Sequence, residues 1–250
     1  DVITSLTKLS KVTELAEERN ADIELNPSEN GVEVAFKEVM FQFSDQKPIL
    51  RNLNFSIPAN SLTVIRGKLG AGKSLLLNMM AGFYEPANGS ILFDKVPLKN
   101  LDKSSFRDMT GIYLKDMTVI KGSLLDNIIL GRQNLDTQDV LALAEEWGIG
   151  DFSTQFTGGF LTVLSETDTE LSFSSRKKIL LLRAMLGRKR LLLLEDPVDG
   201  MNEEFSQAMI RYLNRIKEDT TIVVVTENTA LLEAADSIFS LKDGAVIQEK

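Results

Sequence analysis

Eight consecutive residues, Gly67-Lys68-Leu69-Gly70-Ala71-Gly72-Lys73-Ser74, bring together the groups needed to hold a chain of phosphates. Glycines let successive main-chain N–H groups converge on one anion, a following helix aims its positive end at the same place, and Lys73 adds a full charge. The Ser74 hydroxyl can ligate Mg²⁺. The pattern G-x-x-x-x-G-K-[ST] carries this meaning when a strand precedes it and a helix follows. Leu62-Thr63-Val64-Ile65 and Leu75-Leu76-Leu77-Asn78-Met79-Met80-Ala81 supply that context. Far downstream, Leu191-Leu192-Leu193-Leu194 leads into Glu195-Asp196-Pro197, a buried strand ending in two carboxylates. A carboxylate at the end of such a strand can hold Mg²⁺ through water.

Composition narrows the chemistry further. Of the 250 residues, 43% are hydrophobic and 26% charged, an ordinary globular mixture with ample core. No uninterrupted apolar run is long enough to cross a bilayer. The formal net charge is −8, with no basic block, which argues against a nucleic-acid partner. Cys is absent, which excludes disulfides and thiolate metal sites, and His is absent too. The second zero removes the commonest general base and transition-metal ligand.

The elements that must position these groups read as follows. Val2, Leu6, Leu9, Val12 and Ala16 fall three or four apart, predicting a helix, and the polar run to Gly31 reads as a linker. Val32 to Phe36 and Val39 to Phe43 alternate and predict two strands joined by a tight turn, followed by a strand over Leu53 to Ile57. Ile91-Leu92-Phe93 is a further short strand. Leu124 to Leu130, Thr137 to Trp147 and Ser172 to Leu186 have helical spacing. Glu203 to Ile216 predicts a helix between the four-leucine strand and a second buried strand, Thr221 to Thr226. The expected fold is α/β, a P-loop NTPase core with an antiparallel β-subdomain and an inserted helical subdomain over about 117–187. Trp147 reads as packing, and Arg176-Lys177-Lys178 and Arg188-Lys189-Arg190 as solvated helix faces and ends.

From Val32 onward the chain resembles the nucleotide-binding domain of ATP-binding cassette (ABC) transporters, most closely the exporter type. Phe36 to Phe43 resembles the strand ending in the adenine-stacking aromatic, which implies that role for Phe43. Pro48 to Ile57 matches the next strand, and Gly122 to Ile128 is similar to the short helix that receives coupling helices from the membrane domain. Leu171-Ser172 and Arg183-Ala184 frame the signature helix, and Glu195-Asp196-Pro197 falls at Walker B. The resemblance implies ATP and Mg²⁺ as ligands, with Gly67, Gly70, Ala71, Gly72, Lys73, Ser74, Leu75 and Ser172 on the nucleotide and Ser74 and Glu195 on the metal. It implies a second nucleotide-binding domain as partner, and a transmembrane domain joined through residues 1–31. That arrangement places the domain at the cytoplasmic face of a membrane.

Several positions depart from the family pattern. Its Mg²⁺-watching glutamine falls at Lys115, Leu-Ser-Gly-Gly-Gln reads Leu171-Ser172-Phe173-Ser174-Ser175, the Walker B acids are exchanged to Glu195 and Asp196, and the switch histidine falls at Glu227. Asp196 is one methylene shorter than the usual base, and Glu227 sets a negative charge where the family sets a donor. The expectation is a domain that binds MgATP and hydrolyses it slowly, with a non-hydrolysing regulatory or structural pseudo-ATPase as the alternative. Opposite charges at Lys115 and Glu227 suggest a mutual ion pair, with direct contact of Lys115 to the γ-phosphate as the equal alternative. A soluble P-loop kinase or GTPase explains neither the strand-rich start nor the Leu171-Ser172 helix.

Overall fold

The structure is a computed structural model and describes residues 21–26, 29–44, 47–165 and 171–250. The helix read over Val2 to Ala16 lies outside the described residues. β1 (Val34–Phe41), β2 (Leu50–Ile57), β3 (Leu62–Arg66), α1 (Lys73–Met80), β4 (Asn88–Phe93) and β5 (Val96–Pro97) come first. α2 (Lys103–Met109), β6 (Thr110–Tyr113), β7 (Gly122–Ser123), α3 (Leu124–Ile129), α4 (Thr137–Glu146), β8 (Val163–Leu164) and α5 (Phe173–Met185) form the middle. β9 (Leu191–Glu195), α6 (Glu203–Ile216), β10 (Thr221–Val225), α7 (Thr229–Ala234), β11 (Ser237–Lys242) and β12 (Ala245–Gln248) complete the chain.

The strands form a four-stranded antiparallel sheet, β2-β1-β4-β5, a six-stranded sheet, β12-β11-β3-β10-β9-β6, parallel except for β12, and an antiparallel pair, β7-β8. Alternation within the parallel strands sorts side chains into two cores. Leu62, Val64, Leu192, Leu194, Ile222 and Val224 join the helices α3 to α7 on one face. Ile65, Leu191, Leu193, Val223 and Val225 join α1 and the antiparallel sheet on the other. Burial on both faces explains why these strands read as unbroken Leu, Ile and Val runs rather than alternating ones.

The structure departs from the sequence-based expectation at two places. Val34 to Phe41 is one strand and not two, because Glu38 takes a left-handed conformation (φ 53°) and is accommodated as a bulge where the register shifts between Phe36 and Val39. The basic clusters are not uniformly solvated either. Lys177 is 3% exposed and Arg190 2% exposed. Trp147 is fully buried, as packing against Phe205 and Tyr212 requires.

Arg190 stands immediately before β9 and turns into the N-terminal segment. Its guanidinium donates to the carbonyls of Asn26 at 3.1 Å, Asn30 at 2.7 Å and Gly31 at 3.2 Å, and to the Asp94 carboxylate at 2.6 Å. A buried guanidinium is tolerated only when its donors are matched in this way. Arg190→Met would strand Asp94 and three carbonyls, so we expect a loss of about 3 kcal/mol, read as a lower urea midpoint.

Two ammonium groups drawn out of water, one buried and one partly buried, make stability depend on pH. Burial draws Lys189, which donates to the Asp108 carbonyl at 2.7 Å, from 10.5 down to about 8, and it draws Lys177 down equally. Below pH 8 both states are protonated and the full desolvation cost is present. Between about 8 and 10.5 the unfolded chain binds more protons, so this part of the stability rises with pH. Tyr113 and Tyr212, pushed up to about 12 chiefly by burial, act in the opposite sense once pH passes 10. The urea midpoint should therefore climb between pH 8 and 10, and less so in Lys189→Met.

Candidate functional site

The phosphate loop leaves β3 and enters α1, as its flanking residues require. Gly67 has φ 150°, and a Cβ there would lie 2.4 Å from the Leu241 carbonyl oxygen. Gly72 caps α1 in a left-handed conformation at φ 99°, which glycine adopts without penalty. Gly70 is exposed at the turn, and Ala71 donates its N–H to the Lys68 carbonyl at 3.1 Å, closing the loop. Ala71 and Leu75 pack partly against the core on the α1 face of the sheet. The Lys73 ammonium lies inside the loop, donating to the Gly67 carbonyl and, at 3.0 Å, to that of Lys68.

Sheet register brings the distant groups to this loop. Glu195 ends β9, paired with Val225, which in turn pairs with Ile65 just before the loop. Its carboxylate accepts from the Ser74 hydroxyl at 2.5 Å and from the Lys115 N–H at 3.1 Å. Ser74 and Glu195 thus offer two hard oxygen donors in contact, a set suited to Mg²⁺. Among the described residues there is no cluster of three or more His, Cys, Asp or Glu that could hold a metal by itself. Such a pair fits a metal completed by phosphates and water, the usual manner of Mg²⁺.

Lys115 and Glu227 do not pair with each other. β6 and β9 pair Tyr113 with Leu194, so two residues further on Lys115 faces Asp196. Its ammonium lies 2.6 Å from the Asp196 carboxylate and 4.0 Å from that of Asp199. The hydrogen bond to Asp196 raises the pKa of Lys115 and keeps it charged. Glu227 follows β10, on the far side of β9 from β6, and there accepts the Gly67 N–H at 2.9 Å. The expected ion pair is thus replaced by two separate contacts, because β9 stands between the partners.

Phe43 is 41% exposed and sits edge-on to Phe41 and Tyr84 at 4.9 and 5.7 Å. A partly exposed aromatic braced by two perpendicular rings is suited to stacking. Ser172 caps α5, accepting from the Ser175 N–H at 3.1 Å and donating to the Ser175 hydroxyl at 2.9 Å. It is occupied within its own helix. One group was missed in the sequence: Lys177, read as part of a solvated run, donates to the main-chain carbonyls of Asp196 and Asp199. Its helical spacing to Leu181 and Ala184, both buried, is the signal that places it inward.

The family model described as ABC transporter matches residues 50–199. The chain is 29% identical over 224 residues to the uncharacterized ABC transporter ATP-binding protein YknV of Bacillus subtilis, covering 90% of this chain and 37% of that protein. It is 26% identical over 246 residues to the alpha-hemolysin translocation ATP-binding protein HlyB of Proteus vulgaris, covering 98% and 35%. The chain therefore spans little more than a third of the length of these relatives. In fold it matches a bacterial Atm1-family ABC exporter solved with ATP bound, at a TM-score of 0.85 and 23% identity, over 98% of this chain and 43% of that one. The match across more than half the chain, on a fold that carries the phosphate loop and the β9 carboxylates, makes this protein a member of the ABC transporter family.

Proposed function

We propose that this chain is the nucleotide-binding domain of an exporter-type ABC transporter that binds MgATP and turns it over slowly. In this reading Phe43 stacks on adenine and the loop N–H groups from Gly67 to Leu75 surround the phosphates. Lys73 exchanges its two carbonyl partners for phosphate oxygens, while Ser74 and Glu195 hold Mg²⁺. Two such domains close on ATP, each Ser172 helix meeting the other's nucleotide, and the closure moves a membrane domain joined through residues 1–31. The domain then works at the cytoplasmic face of a membrane.

The observation that supports slow turnover is the Lys115 ammonium on the Asp196 carboxylate. In that ion pair one of the two Asp196 carboxylate oxygens is held by Lys115, where a base would hold water. Lys115 is half exposed, so the pair is worth on the order of 1 kcal/mol, about a fivefold effect on rate. Misplacement of the shorter carboxylate costs more, up to about a hundredfold. Position therefore outweighs pairing. Glu227 on the first amide of the loop favours the second reading, a pseudo-ATPase in which ATP is a stabilising ligand without turnover.

Two measurements test this on the intact protein. Lys73→Ala should weaken binding of a fluorescent ATP analogue at least about tenfold, the loss of one charged contact being worth on the order of 1.5–3 kcal/mol. An unchanged affinity would remove the phosphate site from Lys73. Phosphate release should be slow in the wild type, rise about fivefold in Lys115→Gln, and rise by about a hundredfold or more when Asp196→Glu and Glu227→His are added. Brisk wild-type release defeats the slow-turnover reading, and a repaired variant that binds ATP without releasing phosphate favours the pseudo-ATPase.

A further inference from the structure

Two lysines from different elements grip the same two residues. Lys115 meets the side chains of Asp196 and Asp199, at 2.6 and 4.0 Å. Lys177, from α5, meets their main chains, donating to the Asp196 carbonyl at 2.7 Å and the Asp199 carbonyl at 2.5 Å. The Lys177 ammonium is also within 5.8 Å of the Tyr113 ring centre and 5.5 Å of the Phe173 ring centre, so its remaining proton faces aromatic surface.

The segment these lysines hold is a strained one. Asp196 has φ 45°, a left-handed conformation that a residue with a Cβ adopts at a cost. Its N–H donates to the Val225 carbonyl at 2.8 Å, and its carbonyl takes the Asp199 N–H at 3.3 Å besides the Lys177 ammonium. Such a conformation persists only where the surroundings over-determine it. Phe173 adds a second restraint from the same helix, its ring lying where a Cβ on Gly200 would approach to 2.8 Å. A charged donor in a site 3% exposed to water is among the strongest restraints the chain can supply.

We propose that Lys177 is a positioning residue for Asp196, its ammonium fixing the main chain from Asp196 to Asp199 and thereby the aim of the Asp196 carboxylate. The role rests on the reading of Asp196 as the group that accepts a proton from water. Lys115 controls whether that carboxylate is free, and Lys177 controls where it points. Removing Lys115 alone leaves an aimed carboxylate, and removing both leaves one without direction. The phosphate loop is untouched by either, since the Lys177 contacts go to the 196–199 segment.

The test uses the intact protein. Methionine matches the lysine arm in shape and removes only its donors, so the Asp196 and Asp199 carbonyls lose this partner while the packing of the arm is kept. In a Lys115→Gln background, adding Lys177→Met should lower kcat for phosphate release at least tenfold with KM for ATP within twofold. Lys177→Gln, which keeps two N–H donors, should restore kcat to within threefold. Amide hydrogen exchange provides an arm that needs no turnover. In Lys177→Met with Lys115 intact, the Val198 to Met201 amides should exchange at least tenfold faster, with those of Leu76 to Met80 unchanged. An unchanged kcat in the double variant, or unchanged loop exchange, overturns the proposal. Faster exchange throughout the protein also overturns it, by making Lys177 a packing residue. If Lys115→Gln has no measurable turnover, the reading of Asp196 as base fails, and the exchange arm alone decides whether Lys177 holds the loop. If Lys177→Met does not fold, Lys177→Gln decides: preserved loop protection supports the role of the donors, and a loosened loop in the folded variant overturns it.

Discussion

Parallel pairing of β9 with β10 on one side and β6 on the other is the constraint on which the site depends. The pairs Tyr113 with Leu194, Val225 with Glu195 and Ile65 with Val225 make these strands end level with one another. Whatever follows each strand by one or two residues must then stand in a single row along the carboxyl edge of the sheet. Lys115, Asp196, Glu227 and Gly67 occupy that row. Ligands of open α/β sheets bind beyond this edge because the loops, the free N–H groups and the helix starts all collect there. The register assigns each charge its neighbour before any side chain chooses a rotamer.

The row is internally satisfied. Lys73 rests on two loop carbonyls, Ser74 on Glu195, Lys115 on Asp196 and Glu227 on the Gly67 N–H. A net hydrogen bond of this kind is worth about 1 kcal/mol, so in the proposed reading phosphate would compete only with modest local contacts and would gain a full cation on displacing them. The same arrangement is less generous to Asp196. Its partner is a cation that no nucleotide is needed to recruit, and it is supplied by the neighbouring strand.

Much of this was legible in the sequence where structure is local. The glycine spacing, the four leucines and the helical periods of 137–147 and 203–216 are short-range signals, and the strands and helices follow them closely. What escaped was decided at long range. A left-handed Glu38 turns two predicted strands into one, because nothing in a glutamate advertises positive φ. Arg190 looked solvated because its partners, Asn26, Asn30 and Asp94, lie about a hundred residues or more away. Lys115 was matched to Glu227 by charge, whereas strand order matched it to Asp196. Charge complementarity names possible partners, and topology selects among them.

The four leucines of β9 also carry a problem of identity. A strand whose successive side chains are the same can slide along its neighbours with little change in hydrophobic contact, and register is weakly specified wherever pattern is weak. Here the uniform stretch is bounded by Arg190, saturated by carbonyls on one side, and by Glu195, bonded to Ser74 and Lys115 on the other. A slip of one residue in either direction would drag a charge into the apolar layers and break one of these sets. The two ends act as stops, and they turn a degenerate strand into a ruler whose single permitted setting aligns the acids with the phosphate loop.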